Sequence, residues 1–135
     1  MKPLDRTTGF IEGTAVDRIP FHPILMRFAA RHAGVRYHDF CLSPAHKCMA
    51  NIRCAEDFGS DWVNTMSDPW AEAEAFGTVL SYPDDDLPKA ERHAIEEIGD
   101  IERMTVLRPG DHNRMIARVK EIEIYRRDTA GTLFI

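Results

Sequence analysis

The amino-acid sequence predicts an α/β fold made of βαβ units around a parallel sheet, and a few features carry that reading. Short apolar or β-branched segments alternate with helical patterns of roughly ten to fifteen residues, the rhythm of strands joined by crossover helices. The central helix is bounded at both ends by strong signals, Ser43-Pro44 before it and Gly59 after it. The final residues, 131–135, form an apolar run led by Gly131 that reads as a strand in need of neighbours.

Residues 4–12 form the first helix, ended by Gly13. The segment 16–23 carries Pro20 and Pro23 either side of Phe21-His22, so a strand here is short or lies where a missing N–H is harmless. Ile24, Leu25, Phe28 and Ala29, followed by Gly34, predict a helix over 24–33. Ser43 then serves as N-cap and Pro44 as first helical residue. Ala45, Cys48, Met49, Ile52, Ala55 and Phe58 recur at helical intervals as far as Gly59.

Residues 61–66 read as a strand that runs into a second capped helix, with Ser67 or Asp68 as cap, Pro69 in the first turn and Gly77 at the close. Residues 78–83 are extended, and Asp84, Asp85 and Asp86 with Leu87-Pro88 form a surface turn. Asp100 caps a short helix to Met104, Pro109-Gly110 break the chain, and Asp111 opens a long helix to Arg127. The apolar residues of that helix, Ile116, Val119, Ile122 and Ile124, only partly share one stripe.

Composition narrows the function. The 135 residues carry 22 acidic and 17 basic side chains, a formal charge of −5, which disfavours a general nucleic-acid binder. No apolar run reaches the roughly 18 residues of a spanning helix, and the start of the chain lacks an apolar signal core, so a cytoplasmic location is expected. Cys41, Cys48 and Cys54 read as free thiols rather than a disulfide framework, and their spacing is not that of a zinc site. Glycine-rich phosphate loops, nucleophile elbows and HExxH motifs are absent. No metal ligand is assigned within the chain.

Two segments carry a family likeness. Met26-Arg27-Phe28-Ala29-Ala30-Arg31 resembles the arginine motif after the first barrel strand of the uroporphyrinogen decarboxylase family, with Ala30 in place of a glycine and His32 in place of a tyrosine. Met66-Ser67-Asp68, followed by Gly77, resembles the segment that carries that family's catalytic aspartate. The wording around it, Ser67-Asp68-Pro69 and then Asp84-Asp85-Asp86-Leu87-Pro88, is similar to relatives that include the cobalamin-dependent methyltransferases. The resemblance implies the N-terminal part of a (β/α)₈ TIM barrel, incomplete as it stands, with its site at the carboxyl ends of the strands.

What the resemblance implies for residues follows. Arg27 and Arg31 share a helical face and would grip substrate carboxylates in bidentate fashion. Asp68 would be the catalytic carboxylate, although its place beside a helix start also suits a cap. His22, at the end of the first strand, is a further substrate-binding candidate. For the corrinoid branch the reaction is methyl transfer to a thiol, with zinc and a corrinoid in the complete enzyme and the zinc ligands beyond residue 135. For a decarboxylase no cofactor is implied.

The expected partners are a small anionic or tetrapyrrole-type substrate, or a corrinoid protein, with neither nucleic acid nor membrane. The apolar final strand predicts that the chain self-associates or is completed by further chain. A non-catalytic product or small subunit is the remaining alternative.

Overall fold

Ser43, Pro44 and Gly59 bound the central helix in the structure as they do in the sequence. In the computed structural model, which describes residues 1–66 and 68–135, the Ser43 side chain accepts a hydrogen bond from the His46 N–H, and Gly59 closes the helix with φ at 68°. That left-handed backbone suits glycine because no Cβ is present to clash. This helix, α4 (Pro44–Phe58), is the spine of the molecule.

Before it come α1 (Pro3–Ile11), α2 (Met26–Ala33) and a short α3 (Tyr37–Leu42). Helix α2 begins two residues later than the sequence suggests, at Met26, whose φ of 32° is uncommon for a residue with a side chain. Helix α3 was not expected. It forms because Tyr37 and Phe40, one helical turn apart, are both fully buried and stack on each other.

After α4 the chain runs through residues 60–66 to α5, only Ala71–Ala75, with Trp70 at its cap position and no side-chain cap. The expected Pro69–Gly77 helix is therefore cut to a single turn, and the part of that expectation concerning Ser67 lies outside the described residues. An antiparallel pair, β1 (Val79–Ser81) and β2 (Lys89–Arg92), follows, joined by the acidic turn. The first of these strands was anticipated and the second was not, because Lys89-Ala90-Glu91-Arg92 has no apolar alternation. Helix α6 (Gly99–Arg103) and a 3₁₀ turn at Pro109–Asp111 lead to α7 (Asn113–Asp128). Its cap is not Asp111 but His112, whose Nδ1 accepts from the Arg114 N–H at 3.2 Å.

The parallel pairing lies at the ends of the predicted strands. Trp62 and Phe134 form a parallel bridge, with Val63 N–H donating to the Phe134 carbonyl at 2.9 Å and Phe134 N–H to the Asp61 carbonyl at 3.0 Å. On the other side the Asp61 N–H donates to the Phe21 carbonyl at 2.9 Å. Phe21, residues 61–63 and Phe134 thus lie side by side in that order. The fold is mixed α/β. The strand expected over 131–135 is shorter than predicted, with pairing at Phe134 alone and residues 133–135 only half-buried.

Two apolar clusters hold these pieces. One packs α2, α3 and α4 through Ala29, Ala30, Tyr37, Phe40, Ala50 and Cys54. The other joins α4 and α7 to the parallel segment through Cys48, Ala55, Val63 and Tyr125. All three cysteines are free, as their spacing suggested, and all three are buried, which the spacing did not indicate. No helix among the described residues is long and apolar enough to cross a membrane.

Candidate functional site

The face that α7 turns inward is polar. Arg114, Arg118, Glu121 and Tyr125 follow one another at intervals of four, three and four residues, the spacing of one helical face. The α4 residues opposite answer them. Lys47 Nζ lies 2.6 Å from Glu121 Oε1, and Asn51 Nδ2 donates to the Tyr125 hydroxyl at 2.8 Å. The Tyr125 hydroxyl donates in turn to the Asn64 carbonyl at 2.8 Å, and Arg118 donates to the Thr65 carbonyl at 2.7 Å. Carbonyls at the end of the 60–66 segment are therefore satisfied by helix side chains instead of by a neighbouring strand.

Burial sets the electrostatics of this layer. Desolvation pushes the Glu121 carboxyl up and the Lys47 ammonium down, each opposed by attraction to the other. Both side chains are almost wholly removed from water.

Asp68 stands where the 60–66 segment leaves this layer. Its side chain is fully buried, Oδ1 accepts from the Trp70 N–H at 3.0 Å, and Oδ2 is held by Arg114. Arg114 also donates to the Cys41 carbonyl and lies 3.0 Å from Glu74 Oε2, while the Tyr82 hydroxyl donates to that same Glu74 oxygen. Asp68 thus belongs to a chain, Asp68–Arg114–Glu74–Tyr82, buried at its first two members and half-buried at its last two, which joins α7, α5 and the residue after β1. The Tyr82 hydroxyl is pushed up, first by burial and then by its bond to Glu74.

A cleft of about 810 Å³ opens over Asp68, with Met26, Met66, Leu87, Glu72 and Arg118 among its walls. Its lining is mostly apolar side chain with a few charged groups, the usual make-up of a small-molecule site. It lies at the carboxyl end of the parallel segment, with the left-handed Met26 on one side. Across it, Arg118 Nη2 pairs with Glu72 at 2.8 Å.

Among the other predicted residues, Arg27 and Arg31 are neighbours on α2 and both reach Asp85. Asp85 Oδ2 is 2.8 Å from Arg31 Nη2 and 3.3 Å from Arg27 Nη2. They follow Met26, a cleft wall, but are not themselves part of the lining. His22 is not brought to the cleft either. It stacks on Trp62 with ring centroids 4.5 Å apart, and its Nε2 is 3.3 Å from Asn64 Nδ2. Desolvation there lowers its pKa and favours the neutral imidazole.

Arg114, Arg118, Lys47, Glu121, Glu74 and Tyr82 were missed by sequence reasoning. A signal existed for the α7 members: the imperfect apolar stripe of that helix is the trace of a polar stripe beside it.

A second charged cluster lies at the amino end of the same segment. Asp61, fully buried, takes Arg6 and Arg18, at 2.5 and 2.6 Å, and the Phe21 N–H at 2.7 Å. Every group in it is paired, and it reads as a brace between α1 and the parallel segment.

The family model for uroporphyrinogen decarboxylase (URO-D) matches residues 2–134. Among solved structures, a methyltransferase from Methanosarcina mazei superposes with a TM-score of 0.81 at 16% sequence identity. The superposition covers 98% of this chain and 40% of the other. Identity at that level speaks for a shared fold. A search of curated protein sequences gave no match.

Proposed function

The chain belongs to the uroporphyrinogen decarboxylase family, and from that premise we propose that it is the amino-terminal part of a (β/α)₈-barrel enzyme that transfers a methyl group between a corrinoid and a thiol. The side-by-side order of Phe21, residues 61–63 and Phe134, with a parallel bridge between Trp62 and Phe134, supports three successive barrel strands with helices outside them. The fold shared with a methyltransferase over 98% of this chain supports the methyl-transfer branch.

The observation that carries the choice is the engagement of Asp68. In a decarboxylase this carboxylate would hold pyrrole N–H groups, yet here Oδ1 takes the Trp70 N–H and Oδ2 takes Arg114. Methyl transfer asks no such contact of it. Asp68 then shapes the cleft floor and Met26, Met66 and Leu87 exclude water from one side of the ligand, while Arg27 and Arg31, which follow Met26 on α2 and now hold Asp85, would turn to its anionic groups. Decarboxylation of a porphyrinogen is the second reading, favoured by the description of the family.

Methyl transfer implies zinc, which holds a thiol as thiolate, and a corrinoid, which carries the methyl group. The described residues of this chain do not fit zinc. Among the described residues no three His, Cys, Asp or Glu side chains come together as a metal site. Burial also pushes the Cys41 and Cys48 thiols up to about 12, away from the thiolate that zinc binds. What the chain supplies is binding and orientation.

Parallel titrations with methylcobalamin and with uroporphyrin, a tetrapyrrole octacarboxylate, test the reading. Saturable methylcobalamin binding in preference to uroporphyrin is expected, and the reverse preference would replace methyl transfer with decarboxylation. For the rim, calorimetry with tricarballylate should show weaker binding in Arg27→Ala. A lost charge-assisted contact is about 1.5–3 kcal/mol, roughly ten- to 150-fold in Kd. Unchanged affinity would remove Arg27 from the site.

A further inference from the structure

Three consecutive aspartates in the β1–β2 turn reach arginines on α2 and at the residue that precedes α3. Arg27 and Arg31, one turn apart on α2, converge on the single carboxylate of Asp85. Arg27 also donates to the Asp85 carbonyl, and its Nη1 lies 3.6 Å from Asp86 Oδ1. Asp84 lies 3.5 Å from Arg36 Nη1, and its carbonyl accepts from the His38 N–H at 3.2 Å. The turn is therefore strapped across α2 to the start of α3. The next residue along, Leu87, is a wall of the Asp68 cleft.

The strap is built to be displaced. Its ion pairs are exposed, with 53% of the Asp85 side chain and 64% of that of Arg31 open to water. Pairs of this kind are weak and screened by salt. The strands that carry the turn are only three and four residues long and pair only with each other among the described residues, an arrangement of marginal stability by itself. Two guanidiniums that close on the carboxylate of Asp85 close on the carboxylate of a ligand by the same geometry.

We propose that Asp85 is an internal counter-ion that competes with carboxylate ligands for the Arg27–Arg31 fork, and that a bound carboxylate releases the turn and moves Leu87 from the cleft wall. The strap is then an autoinhibitory contact: it keeps the fork neutralised and the cleft narrowed until an anion of sufficient charge arrives. This inference rests on the reading of the cleft and its arginine rim as a ligand site. It adds a selectivity rule to that reading, since a ligand with several carboxylates outcompetes Asp85 where a monocarboxylate does not.

Calorimetric titration of the chain with tricarballylate, a tricarboxylate, compares wild type, Asp85→Asn and Asp128→Asn. The last removes the same charge from an exposed pair at the end of α7, away from the fork. Asp85→Asn should bind on the order of three- to tenfold more tightly than wild type, the scale of relief from weak exposed pairs, and Asp128→Asn should match wild type. Hydrogen exchange on wild type should show faster amides over residues 84–88 when tricarballylate is bound. Equal affinity in wild type and Asp85→Asn, with binding still lost in Arg27→Ala, would overturn the competition and leave the arginine site standing. Absence of tricarballylate binding in every form would overturn the arginine site and the strap together. Slower exchange over 84–88 on binding would show that the turn closes on the ligand, and it too would overturn the proposal.

Discussion

Replacing Arg114 with Met tests the buried Asp68–Arg114 pair beneath the cleft. The substitution keeps the length and apolar body of the side chain and removes its charge. Asp68 would then remain fully buried, keep the Trp70 N–H on Oδ1 and lose the guanidinium that holds Oδ2. Arg114 and Asp68 are 8% and 0% exposed at the side chain, so solvent does little to screen the loss. Removing one partner of a buried pair costs about 3–5 kcal/mol, because a charge is left without compensation. That is a large share of the roughly 5–15 kcal/mol that holds a domain together. Urea unfolding followed by circular dichroism should show the midpoint fall with little change in slope. The double variant Asp68→Asn with Arg114→Met removes the stranded charge and should recover part of the loss, giving a coupling of about 2 kcal/mol or more. A loss below about 1 kcal/mol for Arg114→Met, or additive effects in the double variant, would refute the view that Asp68 is held by a buried ion pair.

Other consequences are equally direct. In the folded chain Cys41 and Cys48 sit at about 12, whereas an unfolded thiol lies near 8.5. The unfolded chain sheds these protons first, so the stability they confer is complete below about pH 8.5 and is lost as pH rises towards 12. A thiol reagent at pH 8 should label neither cysteine until denaturant is added, and rapid labelling of a chain with native circular dichroism would contradict their burial. Gly59→Ala forces a side chain into a left-handed backbone at φ 68° and should cost about 1–2 kcal/mol, read as a lower urea midpoint; an unchanged midpoint would contradict that strain.

The sequence made some of this legible and concealed the rest for physical reasons. Helix α4 was plain because its cap, its first-turn proline and its terminal glycine are local signals that act without tertiary help. The extended segments around Phe21, 61–66 and 131–135 were also legible from local pattern, although pairing extends over fewer residues than the apolar runs suggest. Helices α3 and α5 were misjudged because a single turn depends on what it packs against, and β2 because a hairpin strand exposed to water needs no apolar alternation. In the site, Asp68, Arg27, Arg31 and His22 were singled out by family likeness and chain position. Their partners were invisible: Arg114 meets Asp68 across 46 residues and Glu121 meets Lys47 across 74. Such ion pairs leave no trace in spacing except the polar stripe at 114, 118, 121 and 125.

We propose that this chain meets its ligand in the cleft above Asp68, beside Arg27 and Arg31 of α2. An isotope-edited amide spectrum of the chain, titrated with tricarballylate, tests it directly. Saturable shifts are expected at Met26, Arg27, Arg31, Asp68, Trp70 and Leu87, with the Arg6–Asp61–Arg18 cluster at the opposite end of the parallel segment unmoved. Shifts confined to that opposite cluster, or a spectrum unchanged at saturating tricarballylate, would contradict it.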